Sequence, residues 1–204
     1  MSEQRSIISR ISGRRRMPRQ VRRQAALVVA VVVAVFAVPA TASAACTARQ
    51  LLGNPSFETG TPPPWTATPG VIYHADNISR PFNGIYLAKF NAKGTWSTHT
   101  LAQTVTIPAG CTTYRFAYFM KINTVETTLF SARDTLTVEV LDSAGVVLRT
   151  LHRWSNLTKT IAYVGKSADM SAFAGKTVTI RFTGREDGAH WTRFLVDMTY
   201  FNVS

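Results

Sequence analysis

Two groups of residues in this 204-residue chain could do chemistry. The first is a set of carboxylates. Glu126, Asp134, Glu186 and Asp187 stand in two polar stretches, and Asp197 sits inside the apolar run FLVDMTYF. An unpaired charge buried in such a run is costly, so Asp197 needs a partner. Loop acids of this kind can hold a hard cation, which takes carboxylate and carbonyl oxygens. They can also accept backbone N–H groups of their own loops. The second group is aromatic: Trp96 near His99, Trp154 near His152, and Trp191 beside His190. A planar ring with polar neighbours can stack on the apolar face of a pyranose, and the same ring can simply anchor a loop.

Motifs for covalent or metal-assisted catalysis are missing. The four histidines, His74, His99, His152 and His190, form no H-E-x-x-H pair. No G-x-S-x-G elbow occurs. The Q-I-H tripeptide of many jelly-roll polysaccharide lyases is absent, whereas a carboxylate pair for glycoside hydrolysis is compatible with the spacing.

The elements that must position these residues begin after a leader. Six arginines between Arg14 and Arg23 precede a fourteen-residue apolar run, Ala25 to Val38, then Pro39 and Ala42-Ser43-Ala44. A basic segment, an apolar segment and an A-x-A site predict a cleaved secretory signal over 1–44, of bacterial type. A spanning helix needs roughly 20 apolar residues, so the run is short for an anchor. The expectation is an extracellular, secreted protein with one domain over 45–204 and no membrane attachment after cleavage. The formal charge of +12 is largely the leader's; residues 45–204 keep 15 Lys+Arg against 10 Asp+Glu, or +5. The cations are scattered, with no basic stripe interleaved with aromatics, so nucleic acid is not a predicted partner. Cys46 and Cys111 are the two cysteines. In an exported chain they are expected to form one disulfide; the rival reading makes Cys46 a lipidated first residue, against which Ser43 stands where lipoproteins carry an aliphatic residue.

Period-two alternation marks the strands. In Thr177–Thr183, Val178, Ile180 and Phe182 share one face, and Thr177, Thr179, Arg181 and Thr183 the other. The loop 184–190 leads to a strand over Thr192–Val203, and the two read as a hairpin around which the rest packs. In the second strand Phe194, Val196, Met198 and Tyr200 form the apolar row. Further strands are expected at Leu51-Leu52, Val71–His74, Ile85–Phe90, Leu101–Ile107, Thr113–Ile122, Thr135–Leu141, Val146–Leu151 and Tyr163–Ser167. Turn chemistry separates them at Pro81-Phe82-Asn83-Gly84, Pro108-Ala109-Gly110, Asp142-Ser143-Ala144-Gly145 and the corner 170–175. Nine or ten short strands without helical periodicity predict an all-β sandwich of two antiparallel sheets.

Asn54-Pro55-Ser56-Phe57-Glu58-x-Gly60 followed by Trp65 resembles the opening N-x-G-F-E-x-G…W of galactose-binding-like jelly rolls, among them carbohydrate-binding modules. Asn83-Gly84-Ile85-Tyr86-Leu87 is similar to their S-G-x-Y-x-L strand, and Phe194-Leu195-Val196-Asp197 to their closing F-x-V-D-D-V, with Met198 in place of the second acid. The C-terminal half resembles ancillary β-sandwich modules of secreted bacterial peptidases, through Thr124-x-Glu126-Thr127-Thr128, Asp134-Thr135-Leu136-Thr137-Val138, Asp169–Gly175 and Phe182-Thr183-Gly184-x-Glu186-Asp187.

The resemblance implies a galactose-binding-like jelly roll with Trp65 in its core. It implies a structural Ca2+ between Glu58 and Asp197, although either acid could pair with a base or cap a turn. It also implies a non-catalytic module for carbohydrate or a cell-surface glycan, with Trp96, His99, Trp154, His190 and Trp191 as the binding candidates. Glu126, Asp134, Glu186 and Asp187 remain a second acidic set that could hold an ion or bind loop N–H groups. A jelly-roll lyase or glycoside hydrolase, and a structural or adhesive domain working with a secreted enzyme such as a peptidase, are the alternatives. A monomer is expected.

Overall fold

The computed structural model describes residues 46–204. The expected leader lies outside the described residues. Eleven strands follow one another: β1 (Arg49–Gln50), β2 (Thr66–Ala67), β3 (Ile72–His74), β4 (Tyr86–Asn91), β5 (Ser97–Thr106), β6 (Tyr114–Thr124), β7 (Thr135–Leu141), β8 (Val147–Ser155), β9 (Val164–Asp169), β10 (Thr177–Glu186) and β11 (Thr192–Val203). Single 3-10 turns occupy Asn156–Thr158 and Ser171–Phe173. One sheet has the order β3-β4-β11-β6-β9, with β1 on the end of β11; the other is β2-β5-β10-β7-β8. All pairings are antiparallel. This is the expected jelly-roll sandwich of two antiparallel sheets.

The alternation seen in the sequence places the core. Val178, Ile180 and Phe182 of β10 face Phe116, Tyr118 and Met120 of β6 across the sandwich, with Leu136, Val138, Val140 and Phe194 completing the layer. Phe116 and Tyr118 lie 6.2 and 5.3 Å, ring to ring, from Phe182. Trp65 is 2% exposed, its indole N–H donating to the Asn54 carbonyl at 3.0 Å. The Cys46–Cys111 disulfide is present, tying the segment before β1 to the β5–β6 connection. No helix among the described residues is long and apolar enough to cross a membrane.

Three expectations need correction. The pair β10–β11 is no hairpin: β10 lies between β5 and β7 in one sheet, and β11 between β4 and β6 in the other. Alternation says which face of a strand is buried, and both strands bury theirs in the same layer. It says nothing about which strand supplies the hydrogen bonds. The second correction concerns β11. A bulge between Asp197 and Tyr200, with Met198 at φ +51°, moves the inward row from Phe194 and Val196 to Phe201 and Val203. An extra residue in one strand of a pair shifts its phase, so Met198 and Tyr200 leave the apolar row that the sequence suggests. The first strand of the described residues is Arg49–Gln50 rather than Leu51-Leu52, and Thr66–Ala67 adds a short strand after the proline loop.

Four connections, β4–β5, β6–β7, β8–β9 and β10–β11, cross from one sheet to the other at one end of the sandwich. They are stitched by backbone bonds: Ala92 N–H to Thr192 O at 3.1 Å, Val125 N–H to Trp191 O at 3.1 Å, and Asn156 N–H to Asp134 O at 3.1 Å. The candidate residues of the loops gather at this end.

Candidate functional site

Glu186 ends β10 and organises the β4–β5 loop. Its carboxylate accepts the N–H groups of Lys93 and Gly94 at 3.0 Å and the Ser97 hydroxyl at 3.2 Å. It therefore serves as a loop cap, leaving the second acidic set to its other three members. The loop so held presents Trp96, which is 83% exposed. The pyrrole edge and backbone N of Trp96 lie against Gly188 of the β10–β11 loop. Gly188 has φ +87°, and a Cβ there would meet Trp96 Cδ1 at 2.8 Å and its backbone N at 2.9 Å. Trp96, Ser97, Thr98, Arg185 and Glu186 line a shallow groove.

Arg185 also belongs to a polar strip over the outer face of β7, β8 and β10, made with Thr135, Thr137, Glu139, Arg153, Arg181 and Thr183. The outward row of β10, already visible as Thr177, Thr179, Arg181 and Thr183 in the sequence, builds this face. Arg181 stands opposite Glu139 in register and donates to its carboxylate at 2.9 Å. Arg181 Nε and Thr183 Oγ1 have no partner. The row is visible in the sequence, but a Thr/Arg alternation is also what an ordinary solvated strand face shows.

The other predicted aromatics and histidines divide. His99 is buried and its Nδ1 accepts the Asn91 N–H at 2.8 Å, so it braces the strand end and does not flank an exposed platform. Burial lowers its pKa below 6.5. Trp154 is half-buried; its indole N–H donates to the Tyr118 hydroxyl at 2.9 Å and Lys166 lies 4.7 Å over its ring. It closes the open side of the sandwich between β8 and β9. His152 Nδ1 is 3.0 Å from the same hydroxyl, and burial lowers its pKa too. Trp191 is partly buried with the Arg193 guanidinium 4.9 Å over its ring, and His190 is exposed. Trp96 is thus the exposed one among the described tryptophans.

Glu126, Asp134 and Asp187 come together, each offering a carboxylate oxygen within 4.8 Å of the others. Asp134 Oδ1 accepts the Asp187 N–H at 3.0 Å, and the Asn156 side chain accepts the Arg133 and Asp134 N–H groups at 2.9 and 3.2 Å. Burial raises the Asp134 pKa, opposed by the nearby Thr192 hydroxyl. The Ala189 N–H, helped by Arg133, lowers that of Asp187.

Glu58 and Asp197 meet at a different place, under the 82–86 turn. Asp197 is fully buried and accepts the N–H groups of Met198, Phe82 and Asn83 at 2.7, 2.8 and 2.9 Å. Glu58 accepts those of Ile85 and Tyr86 at 3.1 and 3.0 Å. Both acids cap the turn, one of the readings the sequence left open. Burial raises the Asp197 pKa to about 6, against the three N–H donors and with a smaller contribution from the Glu58 charge. Neither acid is in an ion pair among the described residues. Five backbone N–H groups already occupy these carboxylates, so a hard cation here would have to use the lone pairs that they leave.

No family model and no curated protein matches the chain. Solved structures do. TmCBM61 in complex with β-1,4-galactotriose is similar at 20% identity, over 75% of this chain and 97% of that one, with a TM-score of 0.56. The CBM22-1 xylan-binding domain of Paenibacillus barcinonensis Xyn10C aligns at 17% identity over 78% and 97%, TM-score 0.44. The Stig cyclase Fisc from Fischerella sp. TAU aligns at 14% over 78% and 98%, TM-score 0.47. The first of these shows a shared fold, a sandwich of two antiparallel sheets.

Proposed function

We propose that the protein is a secreted, non-catalytic carbohydrate-binding module whose ligand stacks on Trp96 and runs toward the polar strip of β7, β8 and β10. The observation that carries this reading is the exposed indole of Trp96, pinned against Gly188 beside a groove of hydroxyl, guanidinium and carboxylate groups. A pinned aromatic loses little conformational entropy on binding, and the polar neighbours supply orientation. The strip of Thr137, Arg153, Arg181 and Thr183 offers further hydrogen-bond partners for a chain of several sugars. The similarity to a module crystallised with β-1,4-galactotriose makes β-1,4-galactan the first polysaccharide to test.

In the same reading Glu58 and Asp197 would hold a structural Ca2+ through the lone pairs that the turn's N–H groups leave, reinforcing the tie between the 82–86 turn and β11.

Affinity electrophoresis against galactan and xylan, run beside a reducing-end assay, tests the proposal. Wild type should be retarded by at least one of the two polysaccharides without releasing reducing ends. Trp96→Ala should weaken retardation more than tenfold, about 1.4 kcal/mol or more. Turnover of either polysaccharide would move the protein to the hydrolases or lyases, and a Trp96→Ala variant retarded like wild type would refute the platform.

A further inference from the structure

We propose that Glu126, Asp134 and Asp187 form a cation site, suited to Ca2+, that ties the β6–β7 loop to the β10–β11 loop. It involves none of the residues that face the 82–86 turn and does not depend on the carbohydrate reading.

The three acids come from separate places in the chain, Glu126 and Asp134 from the two ends of one crossover and Asp187 from the start of another. Their carboxylate oxygens lie within 4.8 Å of one another. That is the span available to ligands around one ion at bond lengths of about 2.4 Å.

An acidic cluster alone would not suffice, because surface acids gather without ligands. Here two of the acids are buried and incompletely partnered. Asp134 is 0% exposed, and its Oδ2 has no hydrogen-bond partner, the nearby Thr192 hydroxyl being paired with that of Thr124 at 2.7 Å. The Glu126 side chain is 3% exposed, and its Oε1 also has none. Buried polar atoms in folded proteins are almost always satisfied, and an exception calls for an ion, a water or a proton.

The nearby bases do not fill the gap. Arg133 donates to Asp187 Oδ2 at 3.1 Å and is itself half exposed; it leaves Glu126 and Asp134 unserved. His190 Nδ1 is 4.0 Å from Glu126 Oε2, beyond hydrogen-bonding distance, on an exposed side chain. Three close carboxylates facing one guanidinium leave a charge excess in a partly dry space, which a divalent cation removes. The donors are hard oxygens without a thiolate, which selects Ca2+ over softer metals. Its remaining coordination positions would go to water and loop carbonyls.

The test uses the exported protein stripped with EDTA. Calcium uptake is followed by titration calorimetry, and Tb3+ uptake by luminescence sensitised through the neighbouring Trp191. Wild type should bind Ca2+, and Glu126→Gln and Asp187→Asn should each lose one equivalent or weaken it more than tenfold. The double variant Glu58→Gln/Asp197→Asn should keep that equivalent, which separates this site from the one under the 82–86 turn. Asp187 is the safest position for substitution, since its side chain is 15% exposed. No uptake by wild type, or uptake unchanged in both Glu126→Gln and Asp187→Asn, overturns the proposal. So does an Asp134→Asn variant more stable than wild type with no response to Ca2+ in either protein, since the orphan oxygen would then carry a proton.

Discussion

His99 accepts the Asn91 N–H through Nδ1, so that nitrogen must be unprotonated in the folded protein. Burial and Lys93 hold the His99 pKa below 6.5, with Glu186 opposing; burial does the same for His152. The unfolded chain therefore binds protons more readily than the folded one as pH falls below 6.5. Stability from these histidines is present above that value and lost as pH drops through the depressed folded pKa. His99→Asn keeps an acceptor near the Nδ1 position and removes the titration. Urea unfolding at pH 7.5, 6.5, 5.5 and 5 should show a shallower acid loss in the variant, even if it is less stable at neutral pH. Parallel profiles for the two proteins would refute the assignment. The role of His99 could not be read from its neighbours in sequence, because its partner is a backbone N–H eight residues away. For Glu186 the sequence left two roles open, an ion or loop N–H groups, and the second holds: it binds the Lys93 and Gly94 N–H groups, whose positions carry no side-chain signature.

The β10–β11 connection is the element on which the loop end depends. It leaves one sheet at Glu186 and enters the other at Thr192, carrying Asp187, Gly188, His190 and Trp191 on the way. Gly188 is required twice over. Its φ of +87° strains any residue with a Cβ, and Trp96 fills the space that a Cβ would take. Gly188→Ala should lower stability by about 1–2 kcal/mol and weaken polysaccharide retardation as Trp96→Ala does, while circular dichroism stays that of the native sandwich. Retention of full binding in Gly188→Ala would show that the platform does not need this support. Gly184, within β10, answers a different constraint: a Cβ there would lie 2.8 Å from Phe90 Cβ in the facing sheet, so the two layers approach closely behind the site.

At the scale of the molecule, the disulfide closes a loop of 65 residues that contains β1 to β5. Closing a loop of that size in the unfolded chain accounts for about 4 kcal/mol in the chain-entropy model. Cys111→Ser, with Cys46→Ser to avoid a free thiol, should lose stability of that order by urea unfolding at neutral pH. A loss under about 1 kcal/mol would mean that the unfolded chain is already compact there. The arrangement gathers the candidate chemistry at the crossover end, where Trp96, Glu186 and the three converging acids sit, while the bridge secures the segment before β1.

The sequence by itself determined that this is a β protein, and much of where its strands lie. Thr135–Leu141 and Thr192–Val203 have the bounds their alternation indicates, and Val178, Ile180 and Phe182 bury the face they share. It also named the two cysteines, the acids of the crossover loops, and Trp96 as one of three tryptophan candidates beside Trp154 and Trp191. Those features are local: a pleat exposes alternate side chains, and turn residues act within four positions. Tertiary structure alone decided that β10 and β11 belong to different sheets, that a bulge at Met198 reverses the inward row, and that Glu126, Asp134 and Asp187 meet while Glu186 turns away. Each of these depends on which distant backbone supplies the hydrogen bonds, and backbone groups are nearly the same in every residue. The choice is made by how two whole sheets pack, and no short stretch of sequence contains it.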